Sequence, residues 1–176
     1  MGNRRMGLNR MEKLMESLTR EIDLGGSSIR FKHKVEAVTN AAVVTRTLTA
    51  TESGTLFTIT NTTVDNNITF TLPTMATALA GVWYDFVFLV DCDDGADVIF
   101  TTGANGTDIY GGVITGAANS TVQDFDGLSK ITVDGSAAQT VQGMRLTFMA
   151  DGTNWHLTGY NPVAIGTSML VENASA

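Results

Sequence analysis

The sequence predicts an all-β body, a jelly-roll-like antiparallel sandwich or barrel, carried behind a short N-terminal amphipathic α-helix. Three observations point there. The 176 residues include 26 Thr beside many Val, Ile and Phe, and β-branched and aromatic side chains suit a pleated, half-buried surface better than a helix. From Arg30 onward apolar and polar residues alternate with period two. Around ten such short runs follow one another, separated by Gly, Asn, Asp or Ser and without helical stretches between them, which is the pattern of sandwiches and barrels.

Leu8, Met11, Met15, Leu18 and Ile22 recur at spacings of three and four, the heptad pattern that lines one face of a helix with apolar side chains. Glu16 and Arg20 form an acid-before-base pair four residues apart on the exposed side. The helix is expected to end near Leu24, where Gly25-Gly26-Ser27-Ser28 supplies a C-terminal glycine and then a flexible joint. The expected division is therefore 1–24 helix, 25–29 hinge and 30–176 β-body. A helix of this length is marginal alone in water and takes most of its stability from docking. Its stripe needs its own β-body, further copies of itself, or another protein as partner, and the glycine joint favours the last two.

In the body, Thr55–Thr60 and Ile68–Leu72 read as a hairpin across the turn residues Asn61 to Asn67, closed by Pro73, which cannot donate to a ladder. Trp83 to Val90 is nearly continuously apolar and suits a central strand, with Asp97 to Thr102 as its expected hairpin neighbour across Asp93-Asp94-Gly95. Further strands are expected at 108–115, 129–134, 143–149 and 154–160, with a last one near 163–171.

Charge is unevenly placed. Residues 1–34 hold eight of the 11 Lys and Arg against four acids, leaving three basic and 14 acidic residues in 35–176. An acidic body repels nucleic acid and anionic lipid, so neither a nucleic-acid nor a membrane partner is expected. Arg4, Arg5 and Arg10, with no aromatic residues between them, point to a protein contact. The single Cys92 excludes an intramolecular disulfide framework. No apolar run is long enough for a membrane helix, and Glu12 and Glu16 stand where a signal peptide needs an uncharged core.

Catalytic patterns are sparse. The Gly-x-Ser-x-Gly, Gly-x-x-x-x-Gly-Lys and Gly-x-Gly-x-x-Gly motifs are missing from the sequence, and His33 and His156 stand in no metal-ligand spacing. Asp91, Asp93, Asp94 and Asp97 form the densest acidic cluster, but they lack the EF-hand order and read as a solvated turn. Neighbouring aspartates raise the pKa expected for the Cys92 thiol. Asp124 and Asp126 fall in an expected loop, where they show no glycosidase separation. Trp155 and Tyr160, alternating with Phe148, read as core. The expectation is a non-enzymatic protein without cofactor or metal.

Two stretches carry a resemblance: Leu48-Thr49-Ala50-Thr51-Glu52-Ser53-Gly54-Thr55-Leu56-Phe57 leading to Thr69-Phe70-Thr71-Leu72-Pro73, and Phe148-Met149-Ala150-Asp151-Gly152-Thr153-Asn154-Trp155-His156-Leu157-Thr158-Gly159. Between Thr47 and Tyr160 the chain resembles the β-modules of tailed-bacteriophage virion surface proteins, most of all capsid decoration (cement) proteins and some fibre proteins. The resemblance implies a homotrimer on the outer surface of an icosahedral capsid, assembled in the host cytoplasm and clamping copies of the major capsid protein. In that setting Leu8, Met15 and Ile22, with Met11 and Leu18, would line an oligomer seam or fill a groove on the shell. A fibre or tailspike component binding a receptor or glycan is the alternative.

Overall fold

The computed structural model describes residues 22–23, 30–31, 33–103, 108–116, 121–135, 140–162 and 170–173. The chain divides into two units, Met1–His33 and Lys34–Ala176. In the first, strands β1 (Ile22–Asp23) and β2 (Arg30–Phe31) pair antiparallel, Ile22 opposite Phe31 and Asp23 opposite Arg30. Ile22, expected on the helical stripe, is thus in extended backbone. A β-branched residue fits a ladder better than a helix end, so any helix stops short of it. Leu8, Met11, Met15, Leu18, Arg4, Arg5, Arg10 and the Gly25–Ser28 joint lie outside the described residues.

The second unit is all-β among the described residues apart from two 3-10 turns, Ala50–Glu52 and Thr77–Leu79. Its first six strands are β3 (Val35–Thr39), β4 (Val44–Thr47), β5 (Leu56–Thr60), β6 (Ile68–Thr71), β7 (Trp83–Phe88) and β8 (Val98–Thr101). These alternate between two sheets. β3, β5 and β7 run parallel side by side in one, and β4, β6 and β8 run parallel in the other. The remaining strands are β9 (Ile109–Thr115), β10 (Thr121–Leu128), β11 (Lys130–Val133), β12 (Arg145–Ala150), β13 (Trp155–Asn161) and β14 (Leu170–Asn173). They complete a seven-stranded sheet of order β10-β9-β13-β12-β7-β5-β3 and a five-stranded sheet of order β14-β11-β8-β6-β4.

The sandwich is therefore mixed, and the antiparallel jelly-roll expectation fails over its first half and again where β13 runs parallel to β9. Both expected hairpins are arches: β5 and β6, like β7 and β8, face each other from opposite sheets. An arch gives its turning residues no ladder partner, so buried polar groups there must be satisfied from side chains. Asn40, 1% exposed, does this for one arch. Its Oδ1 accepts from the Thr62 and Thr63 amides, and its Nδ2 donates to the Thr63 and Asn66 carbonyls at 2.7 and 2.9 Å. Register places Asn61 one layer on, where its Nδ2 donates to the Ala96 carbonyl. Asn67 Oδ1 then accepts from the Asp97 amide, and Asp97 Oδ1 from the Gly135 amide.

The two sheets meet through aromatic rings. Phe86 of β7 lies 4.7 to 5.8 Å, centroid to centroid, from Phe57, Phe70, Phe100 and Phe148, all fully buried. Two buried polar tips tie in chain that passes along the sandwich: Tyr84 Oη donates to the Thr49 carbonyl and Trp155 Nε1 to that of Pro73. Outward positions of the five-stranded sheet are Thr45, Thr47, Thr69, Thr71 and Thr101, aligned across β4, β6 and β8, which accounts for part of the threonine content.

Candidate functional site

Several polar side chains that could carry chemistry are held in structural hydrogen bonds. His33 is exposed. His156 points outward from β13 and shares a hydrogen bond with Asp151 Oδ2 at 2.7 Å. Asp151 closes the turn before β13: its Oδ1 accepts from the Thr153 and Asn154 amides. The Asn154 amide first, then His156 and the Thr153 amide, hold its carboxyl down at about 2. The turn motif in the resemblance is therefore a strand-start cap.

Cys92 is buried and reduced. Burial pushes its thiol up to about 11, with Asp91, Asp97 and Asp134 adding to the rise and Asn61 opposing it. The sequence expectation named the aspartates; desolvation is the larger cause. The acidic run is likewise not a solvated turn throughout. Asp91 Oδ1 accepts from the Val141 and Gln142 amides, Asp93 Oδ1 from the Asp94 amide and Asp97 Oδ1 from the Gly135 amide. Among the described residues no three His, Cys, Asp or Glu side chains are grouped to hold a metal ion.

Asp124 and Asp126 lie in β10, an edge strand, rather than in a loop. Both are exposed on the same outer face, and a register shift between Phe125 and Leu128 bulges the strand beside them. Trp155 and Phe148 are core as expected, but Tyr160 is 49% exposed. It follows Trp155 by five residues, an odd number, so period two turns it outward. Register aligns it with Ile114 of β9 and Val122 of β10, which are 48% and 66% exposed. The next row, Thr158, Gly112 and Asp124, is small or polar.

One cluster escaped the sequence reading. Arg46 of β4 pairs with Glu36 of β3 and with Glu52, lies 4.8 Å above the Phe57 ring, and is joined by Lys34 at 3.2 Å from Glu36. The Arg46 hydrogen bond brings the Glu36 carboxyl down to about 2. Glu52 also accepts from the Thr49 amide, capping the first 3-10 turn. The signal was present: Glu36 and Arg46 stand in phase with the inward Val38 and Val44, so period two applied to 35–47 points both inward.

No protein-family model matches this chain, and neither a curated protein nor a solved structure matches it.

Proposed function

We propose that the chain is a non-enzymatic structural protein of a tailed-phage virion, a homotrimeric decoration protein that binds and cements the capsid from its outer surface. The N-terminal segment would grip the major capsid protein and the β-body would face solvent. The observation carrying this reading is the contrast between the parts. The body's core is closed over by its own side chains, and Glu36, Glu52, Asp85, Asp91, Asp93, Asp97 and Asp151 are used as turn caps and ion pairs. The basic, apolar-striped residues 1–21 belong to a separate unit. A stripe of four apolar residues, Leu8, Met11, Met15 and Leu18, gains little in water and much against a partner. Three arms on one trimer add avidity beyond any single arm. The acidic body keeps a crowded particle soluble.

The test is binding to purified empty shells. The full chain is expected to saturate at a fixed stoichiometry, and deletion of Met1 to Leu24 to abolish binding while the β-body keeps its circular dichroism; undiminished binding by the truncated protein would remove the anchor.

The second reading, a fibre or tailspike component that binds a receptor or glycan, is favoured by Tyr160 standing on an outer sheet face beside Thr158 and Asp124, since an aromatic face flanked by hydrogen-bonding groups suits sugar rings. It expects glycan binding that Tyr160→Ala weakens about tenfold or more, on the order of 1.4 kcal/mol. No binding across host-surface glycans would dismiss it.

A further inference from the structure

Aspartate precedes glycine four times in the sequence, at Asp94, Asp126, Asp134 and Asp151. Each pair carries the same latent chemistry. The glycine amide nitrogen can attack Cγ of the protonated aspartyl carboxyl, and with no Cβ on the glycine nothing shields that nitrogen. An N–Cγ bond forms, the Cγ–OH bond breaks, and the hydroxyl leaves with the amide proton as water. Water then reopens the succinimide ring. Addition at Cγ restores aspartate, whereas addition at the former main-chain carbonyl leaves isoaspartate, with the chain running through Cγ.

The fold separates the four sites. The Gly95 amide donates to the Gly135 carbonyl and the Gly135 amide to Asp97 Oδ1, each at 3.1 Å, so both of these nucleophiles are held. At Asp151 the carboxyl is held instead: Oδ1 accepts from the Thr153 and Asn154 amides, and Oδ2 bonds His156. Those bonds keep it ionised, without a hydroxyl to lose. Asp126 differs. Its side chain is exposed and makes no hydrogen bond or ion pair among the described residues. It stands on β10, the last strand of its sheet. Asp126 and Gly127 together face the single residue Tyr110 of β9, between the register pairs of Phe125 with Gly111 and Leu128 with Ile109. The regular pairing that stiffens the rest of β10 is interrupted there.

We propose that Asp126 and Gly127 form a self-modification site, the one of the four pairs that rearranges to isoaspartate while the body stays folded. The bulge also accommodates the product. Isoaspartate adds one methylene to the main chain, and the added length falls where the register already shifts, so the pairs from Thr121 to Phe125 are kept.

Site-resolved peptide mapping of the full chain, incubated for weeks in mildly acidic buffer, tests this. Isoaspartate is expected to accumulate at Asp126 at least about tenfold faster than at Asp94, Asp134 or Asp151, the ratio given by a barrier difference of about 1.4 kcal/mol. The succinimide, lighter by one water, is expected as a minor species on the same peptide. In concentrated urea, where the fold is gone, the four sites are expected to convert at comparable rates. A smaller preference for Asp126 in the folded protein, or the same preference in urea, overturns the proposal, because the fold would then not be what selects the site.

Discussion

Phe86→Ala is expected to lower the stability of the β-body by roughly 3–5 kcal/mol, the range for truncating a fully buried phenylalanine. Phe86 is the ring on which both sheets converge: it stacks on Phe57 at 5.2 Å within its own sheet and meets Phe70 and Phe100 edge-on from the opposite sheet at 4.9 and 4.7 Å. Removing it takes away the ring's buried area and also these pairs, each worth about 0.5–1.5 kcal/mol beyond area. The surrounding rings lie on strands fixed by ladders on both sides, so the cavity has little freedom to collapse. Because domains of this size are stable by only about 5–15 kcal/mol, the urea midpoint should fall sharply, with a Tm lower by roughly 10 °C. Phe86→Leu, which keeps most of the volume but loses the ring pairs, should cost less than the alanine change and more than the about 1.5 kcal/mol of a volume-conserving swap. An unchanged midpoint for the alanine variant would show that the rings are not the stabilising centre.

How far the fold is legible follows from what alternation encodes. Period two reports which residues of a strand share a face, and it places β5, β6, β7, β8, β9, β11, β12 and β13 within a residue or two of their observed bounds. It does not report which strand lies alongside. A strand that turns back in its own sheet and one that crosses to the facing sheet both alternate, and the Asn61–Asn67 and Asp93–Gly95 segments carry turn residues either way. The distinguishing feature is that Asn40, Asn61 and Asn67 act as hydrogen-bonding substitutes inside the arches, and a sequence shows residue types without showing their burial. β10 is hidden for another reason. Asp124, Asp126 and Gly127 are poor strand formers, and the strand forms because β9 supplies a ladder partner and Gly127, at φ 73°, accommodates the bulge. Of the expected docking residues, only Ile22 is described, in extended backbone. The other stripe residues lie outside the described residues, so the reading of that segment rests on spacing and charge.

The division between the β-body and a basic leading segment shapes what mutation can separate. Changes in residues 1–21 should alter association with little effect on the body's unfolding, because among the described residues the buried hydrophobic core runs from Val38 to Leu157. Changes in the core should do the reverse until the body unfolds, after which every activity is lost together. Stability and binding measured on the same variants therefore distinguish an anchor from a merely structural segment.

Gly111→Ala is expected to be at least as damaging as the loss of Phe86, though it adds a single methyl group. Gly111 lies in β9 with φ 128°, a conformation L side chains rarely adopt, directly opposite Leu157 of β13 in a parallel ladder. A Cβ there would overlap the Leu157 carbonyl oxygen and stand 2.9 Å from its carbon and 3.0 Å from its amide nitrogen. All three are backbone atoms of a strand held on its other side by β12, so no rotamer change relieves the clash. Either β9 moves away, breaking its seven-residue register with β13 and taking β10 with it, or the sheet distorts around Phe125, which faces the glycine from β10. Detaching β9 and β10 would uncover Trp155, Leu157 and Phe125, all buried, and exposing three such side chains costs on the order of 5 kcal/mol. The variant should be largely insoluble or show fast amide exchange through β9, β10 and β13. Gly81→Ala is the control: its φ of 85° is also left-handed, but a Cβ there meets nothing within 4 Å, so only the backbone penalty of about 1–2 kcal/mol applies. If the two variants were equally stable, close approach of β9 to β13 would not be what fixes the edge of the seven-stranded sheet.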